Sequence, residues 1–419
     1  MISGNADLWT ANAGYNQDIG VYVSGGVYPS TAGQPEAWKE SGGFAGTYSP
    51  NAAFVQKVIP VKSGVAYSAK LQWKASLGDP GMIAAGAGPL PTSTNCFCPP
   101  SPQTQPYSPT RLTVQLIPTA SAVVFNATTM GQNHLSGSNG STWVDMDAAN
   151  LSVPFTPPAG SWTAYISANA DLWTQQAGYN QDIGITLSGP GFPTVAGQPE
   201  AWKESGGFAG TFSPNAAYVQ TAVPVTGGTN YTAKLQWKAN GPDPGTIWAG
   251  AGPIAGKYSP TSITVLLVPN TAGATAAVTN QPSQTNSDGT CWQPIDPALS
   301  LTLTPTMATS YLVTANADLW TTVSGFNQDI GIMVSGGAFG GGFLVVWKES
   351  GGLAGTFSPN AAFASTVLHL QPSTTYKIWA VWKTNQISLP NSSTIKIGAG
   401  PIGSNYSPTR LSAMQLSQP

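Results

Sequence analysis

Val65, Tyr67, Ala69, Leu71 and Trp73 alternate with Ala66, Ser68, Lys70, Gln72 and Lys74. This period-two pattern predicts a strand with one face buried. The same pattern returns at Tyr231–Lys238 and again at Tyr376–Lys383. Leu112, Val114 and Leu116 predict another strand, with counterparts after Ser259-Pro260-Thr261 and Ser407-Pro408-Thr409. Ile19, Val21 and Val23 predict a third. Turn signals such as Ser24-Gly25-Gly26, Lys62-Ser63-Gly64 and Thr226-Gly227-Gly228 break these runs at short intervals. Many short strands with regular turns predict an all-β sandwich or barrel. No helical period extends beyond a turn or two.

The strands recur because the chain repeats itself. N-A-D-L-W-T starts at Asn5, Asn169 and Asn316, followed each time by [YF]-N-Q-D-I-G, W-K-E-S-G-G and [YF]-S-P-N-A-A, with small variations. Three cores of this size can each bury a full hydrophobic interior. The expected organisation is a first repeat over 1–118, a linker over 119–141, a second repeat over 142–269, a linker over 270–290 and a third repeat over 291–419. The linkers are read from runs of Ala, Thr, Ser, Asn and Gln with few apolar anchors. An inserted loop, roughly Leu90 to Gln105, distinguishes the first copy.

A further piece precedes only the second and third cores. Trp143-Val144-Asp145-Met146-Asp147 leads into Leu151-Ser152-Val153-Pro154-Phe155. Its counterpart is Trp292-Gln293-Pro294-Ile295-Asp296, leading into Leu299-Ser300-Leu301-Thr302-Leu303. The first core has no such leading strand. Two explanations stand open: a trimmed chain, or a strand supplied by another chain through β-augmentation.

Only 8% of the 419 residues are charged, and the net charge is −2. Average soluble domains carry about 25% charged residues. With 41% hydrophobic and 10% aromatic residues the chain is not a disordered one. It carries no basic stripe for nucleic acid. It also lacks an apolar run of the roughly 18 residues needed to span a bilayer. Met1-Ile2-Ser3-Gly4 runs directly into the first motif, so no signal peptide is read there. The expected location is extracellular, on a cell surface, or on a virion. Cys96, Cys98 and Cys291 lie outside the motifs and read as a loop staple or free thiols, with a metal role disfavoured by their spacing.

The order of these parts resembles the jelly-roll heads of the C1q and tumour-necrosis-factor superfamily, including bacterial and phage relatives. The parts are a short strand ending in Thr-Pro, a strand like Tyr311–Ala317, and Asn327-Gln328-Asp329-Ile330-Gly331. The W-K-E-S strand, the Tyr-Thr-Ala-Lys-Leu-Gln-Trp strand and a closing Ser-Pro-Thr-Arg-Leu strand follow. The resemblance implies three tandem antiparallel β-sandwich units, which can pack around a pseudo-threefold axis, and binding or structural work without catalysis.

Nine of the 17 acids belong to the motif: Asp7, Asp18, Glu40 and their counterparts Asp171, Asp182, Glu204 and Asp318, Asp329, Glu349. One reading is structural, with each carboxylate holding a turn or pairing with a nearby lysine. The other is recognition of a cell-surface glycan. Asp7, Asn16 and Asp18 would meet sugar hydroxyls, while Trp9 and Tyr15 would offer flat apolar faces. The equivalent sets are Asp171, Trp173, Tyr179, Asn180, Asp182 and Asp318, Trp320, Phe326, Asn327, Asp329. Three weak sites would add avidity. Calcium at Asp7, Asp18 or Glu40 lacks the expected loop motif. Asp18 and Glu40 could act as a glycosidase pair, but no Ser, Cys or His nucleophile motif is present and no cofactor is implied. The expectation is a non-enzymatic adhesion or binding protein with glycan as ligand. The alternative is a structural fibre or virion subunit that assembles through sandwich contacts or strand donation.

Overall fold

The computed structural model describes residues 1–416 except 13–14, 42–50, 79–80, 90–106, 120–122, 177, 206–214, 243, 286, 323–325, 351–359 and 386–393. The fold is all-β, with antiparallel sheets packed as sandwiches and no α-helix among the described residues.

The first unit contains β1 (Ile2–Thr10), β2 (Gln17–Ser24), β3 (Ala37–Ser41), β4 (Asn51–Lys57), β5 (Ser68–Ala75), β6 (Ile83–Ala85) and β7 (Arg111–Val114). One sheet places β1 between β4 on one side and β6 with β7 on the other. The facing sheet has the order β3-β2-β5.

The second unit begins with four short strands: β8 (Val124–Thr129), β9 (Asn133–Ser136), β10 (Val144–Asp145) and β11 (Ser152–Phe155). Its core follows as β12 (Ser161–Thr174), β13 (Gln181–Ser188), β14 (Ala201–Ser205), β15 (Asn215–Thr226), β16 (Tyr231–Ala239), β17 (Thr246–Ala249) and β18 (Thr261–Pro269). The third unit repeats this plan. Its leading strands are β19 (Gly273–Val278), β20 (Ser283–Thr285), β21 (Gln293–Pro294) and β22 (Ser300–Leu303). Its core strands are β23 (Thr309–Thr321), β24 (Gln328–Ser335), β25 (Phe343–Ser350), β26 (Asn360–Leu370), β27 (Tyr376–Thr384), β28 (Thr394–Ile397) and β29 (Thr409–Gln415).

The stretches 119–141 and 270–290 therefore do not act as linkers. They supply β8, β9, β19 and β20, which extend the first sheet of each unit at β18, β17, β29 and β28. Their burial is shallow, with no residue of these four strands fully buried, because an edge strand buries little of itself. That is why a polar Ala/Thr/Asn composition suffices there. Cys291 is disulfide-bonded, which removes the free-thiol reading for that residue; Cys96 and Cys98 lie outside the described residues. Ser49-Pro50 and its repeats, and the inserted loop at 90–105, also lie outside them.

Period-two burial accounts for the interiors. On β16, Tyr231, Ala233, Leu235 and Trp237 are buried, while Thr232, Lys234 and Gln236 are only half-buried. Each interior also takes one alanine from the next unit. Ala216 enters the first core, Ala361 the second and Ala52 the third.

Contacts between units run in the same cyclic order. Phe54, Tyr218 and Phe363 meet with ring centroids 4.2 to 4.4 Å apart. Beside them Asn51 donates to Asn215 (3.1 Å), Asn215 to Asn360 (3.2 Å) and Asn360 back to Asn51 (3.0 Å). Asn5, Asn169 and Asn316, the first residues of the motif, each donate to the aromatic residue's carbonyl on a neighbour: Phe363, Phe54 and Tyr218.

One aromatic thus lies in contact with all three units. Tyr218→Ala should cost about 3–5 kcal/mol, the usual penalty for deleting a buried aromatic ring. Calorimetry should show one transition shifted down as a whole, rather than loss of the second unit alone.

Candidate functional site

The repeated polar residues converge on the seams between units. Asp7 on β1, Asp171 on β12 and Asp318 on β23 have no exposed surface. Each accepts a hydrogen bond from a serine of its own unit: Ser108, Ser259 and Ser407. The opposite side of each carboxylate belongs to another unit. Lys348 of the third lies 3.9 Å from Asp7, and Lys203 of the second lies 4.0 Å from Asp318. Lys39 of the first faces Asp171 in the same way. The three lysines donate to Pro109, Pro260 and Pro408 carbonyls on the neighbouring units. The amides of Glu40 and Glu204 add hydrogen bonds of 3.2 Å to Asp171 and Asp318.

Lys39, Lys203 and Lys348 are among the largest fully buried side chains. A buried ammonium requires both a counter-charge and hydrogen-bond acceptors. Here the neighbouring unit provides both. Burial lowers Lys39 and Lys203 to about 8 and raises Asp7, Asp171 and Asp318 to about 6, with each opposite charge acting against the shift.

The N-Q-D-I-G motif lines the inner side of the same seams. Asn16, Asn180 and Asn327 donate to Glu40, Glu204 and Glu349 at 2.8–2.9 Å. Gln17, Gln181 and Gln328 tie two strands of the facing sheet together through backbone carbonyls, including Ala84, Trp248 and Lys396. Asp18, Asp182 and Asp329 pair with Lys74, Lys238 and Lys383. Ile19, Ile183 and Ile330 are core residues. The glycine gives its neighbours close approach. A Cβ on Gly184 would stand 2.9 Å from Trp143, and one on Gly331 3.1 Å from Trp292. Glu40 rises to about 8 through burial first and the Asp18 charge second; Glu204 and Glu349 rise for the same reasons.

The residues expected to bind a glycan thus divide into two groups. Asp7, Asn16, Asp18, Asp171, Trp173, Asn180, Asp182, Asp318, Trp320, Asn327 and Asp329 are buried. Trp9, Tyr15, Tyr179 and Phe326 are half-buried. The carboxylates face protein groups, Asp7, Asp171 and Asp318 across the seams and Asp18, Asp182 and Asp329 within their own units. Trp173 stacks on Trp248 at 5.1 Å, and Trp320 lies under the Lys396 ammonium at 4.9 Å. Sequence reasoning missed the tryptophan of W-K-E-S as a contact residue. Trp38 and Trp202 press on Gly252 and Gly400 of the next unit, and Trp347 packs with Ala87 of the first. The spaced repetition of G-A-G-P beside W-K-E-S was the available signal. No group of three or more His, Cys, Asp or Glu side chains is placed to hold a metal among the described residues. Among the described residues, no helix is long and apolar enough to cross a membrane.

No protein-family model matches the chain, and no curated protein does. Among solved structures, the chain is similar to the peptide N-glycanase F, with 11% identity over 71% of this chain and 96% of that one, at a TM-score of 0.29. It is also similar to VP2 of infectious bursal disease virus in a subviral particle, with 14% identity over 70% of this chain and 76% of that one, at a TM-score of 0.21. No C1q or tumour-necrosis-factor head appears among these likenesses, and scores this low transfer no role.

Two outcomes follow from the seams. Lys203→Met should cost about 3–5 kcal/mol in denaturant unfolding, because Asp318 is left as an uncompensated buried charge. Adding Asp318→Asn should restore part of that loss. The raised acids hold more protons folded than unfolded, so their contribution is full below the ordinary carboxylate values. It is lost as pH rises through about 6 for the aspartates and about 8 for Glu40. Melting temperature should therefore fall between about pH 4.5 and 8. Glu40→Gln, Glu204→Gln and Glu349→Gln together should flatten that fall; an unchanged slope would show that these carboxyls are ionised in the fold.

Proposed function

We propose that this chain is a non-enzymatic structural protein of the surface-exposed or virion-associated kind, in which three sandwich units are joined about a pseudo-threefold axis into one building block. One observation carries the reading. The repeated carboxylates and amides are buried and engaged with protein groups, with Asp7, Lys39, Asn5 and their counterparts reaching neighbouring units and Asn16, Gln17, Asp18 and theirs held within their own, whereas a ligand site would leave them open. What the repeats hold in common is therefore an interface chemistry. Covalent tandem linkage gives a single chain the contacts that a trimer would otherwise form by association.

A glycan array tests this. The expected result is no retained sugar whose signal depends on the half-buried Trp9, Tyr15, Tyr179 or Phe326. Specific binding abolished by Tyr15→Ala and Tyr179→Ala, with unfolding unchanged, would instead establish adhesion as the function.

A further inference from the structure

Glu204, Asp182 and Lys238 stand in a row across the second sheet of unit two. Asp182 on β13 pairs with Glu204 on β14 at one side and with Lys238 on β16 at the other. Residues paired in this way share a face, with Cβ atoms about 5 Å apart. Glu349, Asp329 and Lys383 form the same row on β25, β24 and β27 of unit three.

Both rows are dry. The lysine and aspartate side chains are 4% and 2% exposed in unit two, and 1% and 1% in unit three. Trp143 and Trp292 cover the lysines, with the ring centroids 5.3 and 5.2 Å from Nζ. Lys238 Nζ donates to Asp182 Oδ2 and to the carbonyls of Gly140 and Ala239, the last two at 3.1 and 3.2 Å. Lys383 Nζ donates to Asp329 Oδ2 and, at 3.1 Å, to the Thr384 carbonyl.

Two further features exceed what an ion pair requires. Oδ1 of Asp182 and of Asp329 is buried without a hydrogen-bond partner. Beyond each aspartate lies a second carboxyl group. Asn180 and Asn240 both donate to Oε1 of Glu204, at 2.9 and 3.1 Å. Asn327 and Asn385 both donate to Oε1 of Glu349, at 2.8 and 3.0 Å. Oε2 is thus the oxygen left to carry a proton. Burial first, and the aspartate charge second, hold both glutamates protonated well above the ordinary carboxylate range. A second buried acid beside a paired aspartate stabilises nothing by charge. It does set an amine, a carboxyl carbon and an acid side by side without water, an arrangement suited to acyl transfer.

We infer that Lys238 with Asp182, and Lys383 with Asp329, are sites of self-catalysed amide cross-linking, with Glu204 and Glu349 as the acids. The ammonium first passes a proton to the Oδ2 it already faces, giving a neutral amine and a neutral carboxylic acid. The Nζ lone pair then attacks Cγ, and the new C–N bond pushes the carbonyl electrons onto Oδ1, which takes up the glutamate proton. Loss of a second proton from Nζ restores the glutamate. The carbonyl re-forms, a C–O bond breaks, and one aspartate oxygen leaves as water with the two protons that the nitrogen gave up. No oxidant, nucleotide or metal is consumed. The amide keeps one N–H, for which the Ala239 or Thr384 carbonyl is an acceptor. Each bond would staple β13 to β16 or β24 to β27. This chemistry does not rest on the assembly reading above, and its failure leaves that reading standing.

The test is mass spectrometry of the full chain, kept folded at neutral pH and then denatured. Expected are an intact mass lower than that of the sequence by one water per bond, and proteolytic fragments joining Lys238 to Asp182 and Lys383 to Asp329. Lys238→Arg and Lys383→Arg keep the positive charge, and each should abolish its own linked fragment and restore one water. Glu204→Gln should leave Lys238 unlinked while Lys383 stays linked, the second bond reporting in the same molecule that the variant has folded. An intact mass equal to that of the sequence would overturn the inference. So would water still missing at Asp182 and Asp329 when both lysines are arginine, as dehydration of aspartate alone would give. A Lys238–Asp182 bond formed as fully with Glu204→Gln would overturn the role of the glutamate.

Discussion

A fully buried lysine ammonium at each seam constrains the rest of the structure. Lys39, Lys203 and Lys348 have essentially no solvent to fall back on. Each finds an aspartate and a proline carbonyl on the neighbouring unit, so no unit supplies the counter-charge of its own lysine. Removing the aspartate while the lysine stays buried would leave the charge uncompensated, at a cost of several kcal/mol. The arrangement is cyclic: first to second, second to third, third to first. The ring of asparagines and the three meeting aromatics obey the same order.

Sandwich architecture was legible because alternation at Tyr231–Trp237 and its copies is strong and the repeat shows it three times. Pairing of acids with lysines was also legible as one of two readings of the motif. The partner's location was not. Asp171 and Lys39 are far apart in sequence and lie in different repeats, and near-identical copies give no hint whether a residue bonds within its copy or across. Lys39 beside Glu40 looked like a local pair, yet on a strand neighbouring side chains point to opposite faces. Lys39 accordingly meets Asp171 and Pro260, while Glu40 meets Asn16.

The leading strands were the least legible part. Val124–Thr129 and Gly273–Val278 are at most half-buried and carry few large apolar residues, because they cover an edge and do not form a centre. Composition alone therefore reads them as linkers. What they cover is read from Trp237 and Trp382, which are buried, and from Lys238 and Lys383, which lie under Trp143 and Trp292.

Polar seams also bear on how three similar units find one arrangement. Interfaces made only of alanines and aromatics would tolerate several relative rotations, because apolar contact is non-directional. An ammonium that must reach one carboxylate and one carbonyl tolerates few. Any other docking leaves a lysine and an aspartate unpaired at each seam, which penalises the wrong assembly more than it favours the right one. In a chain with only 15 basic residues, three placed at the seams and three more beneath the N-Q-D motif leave few for the remaining surface. Charge in this molecule is concentrated where units must register, and much of the exterior is left to hydroxyl, amide and glycine groups.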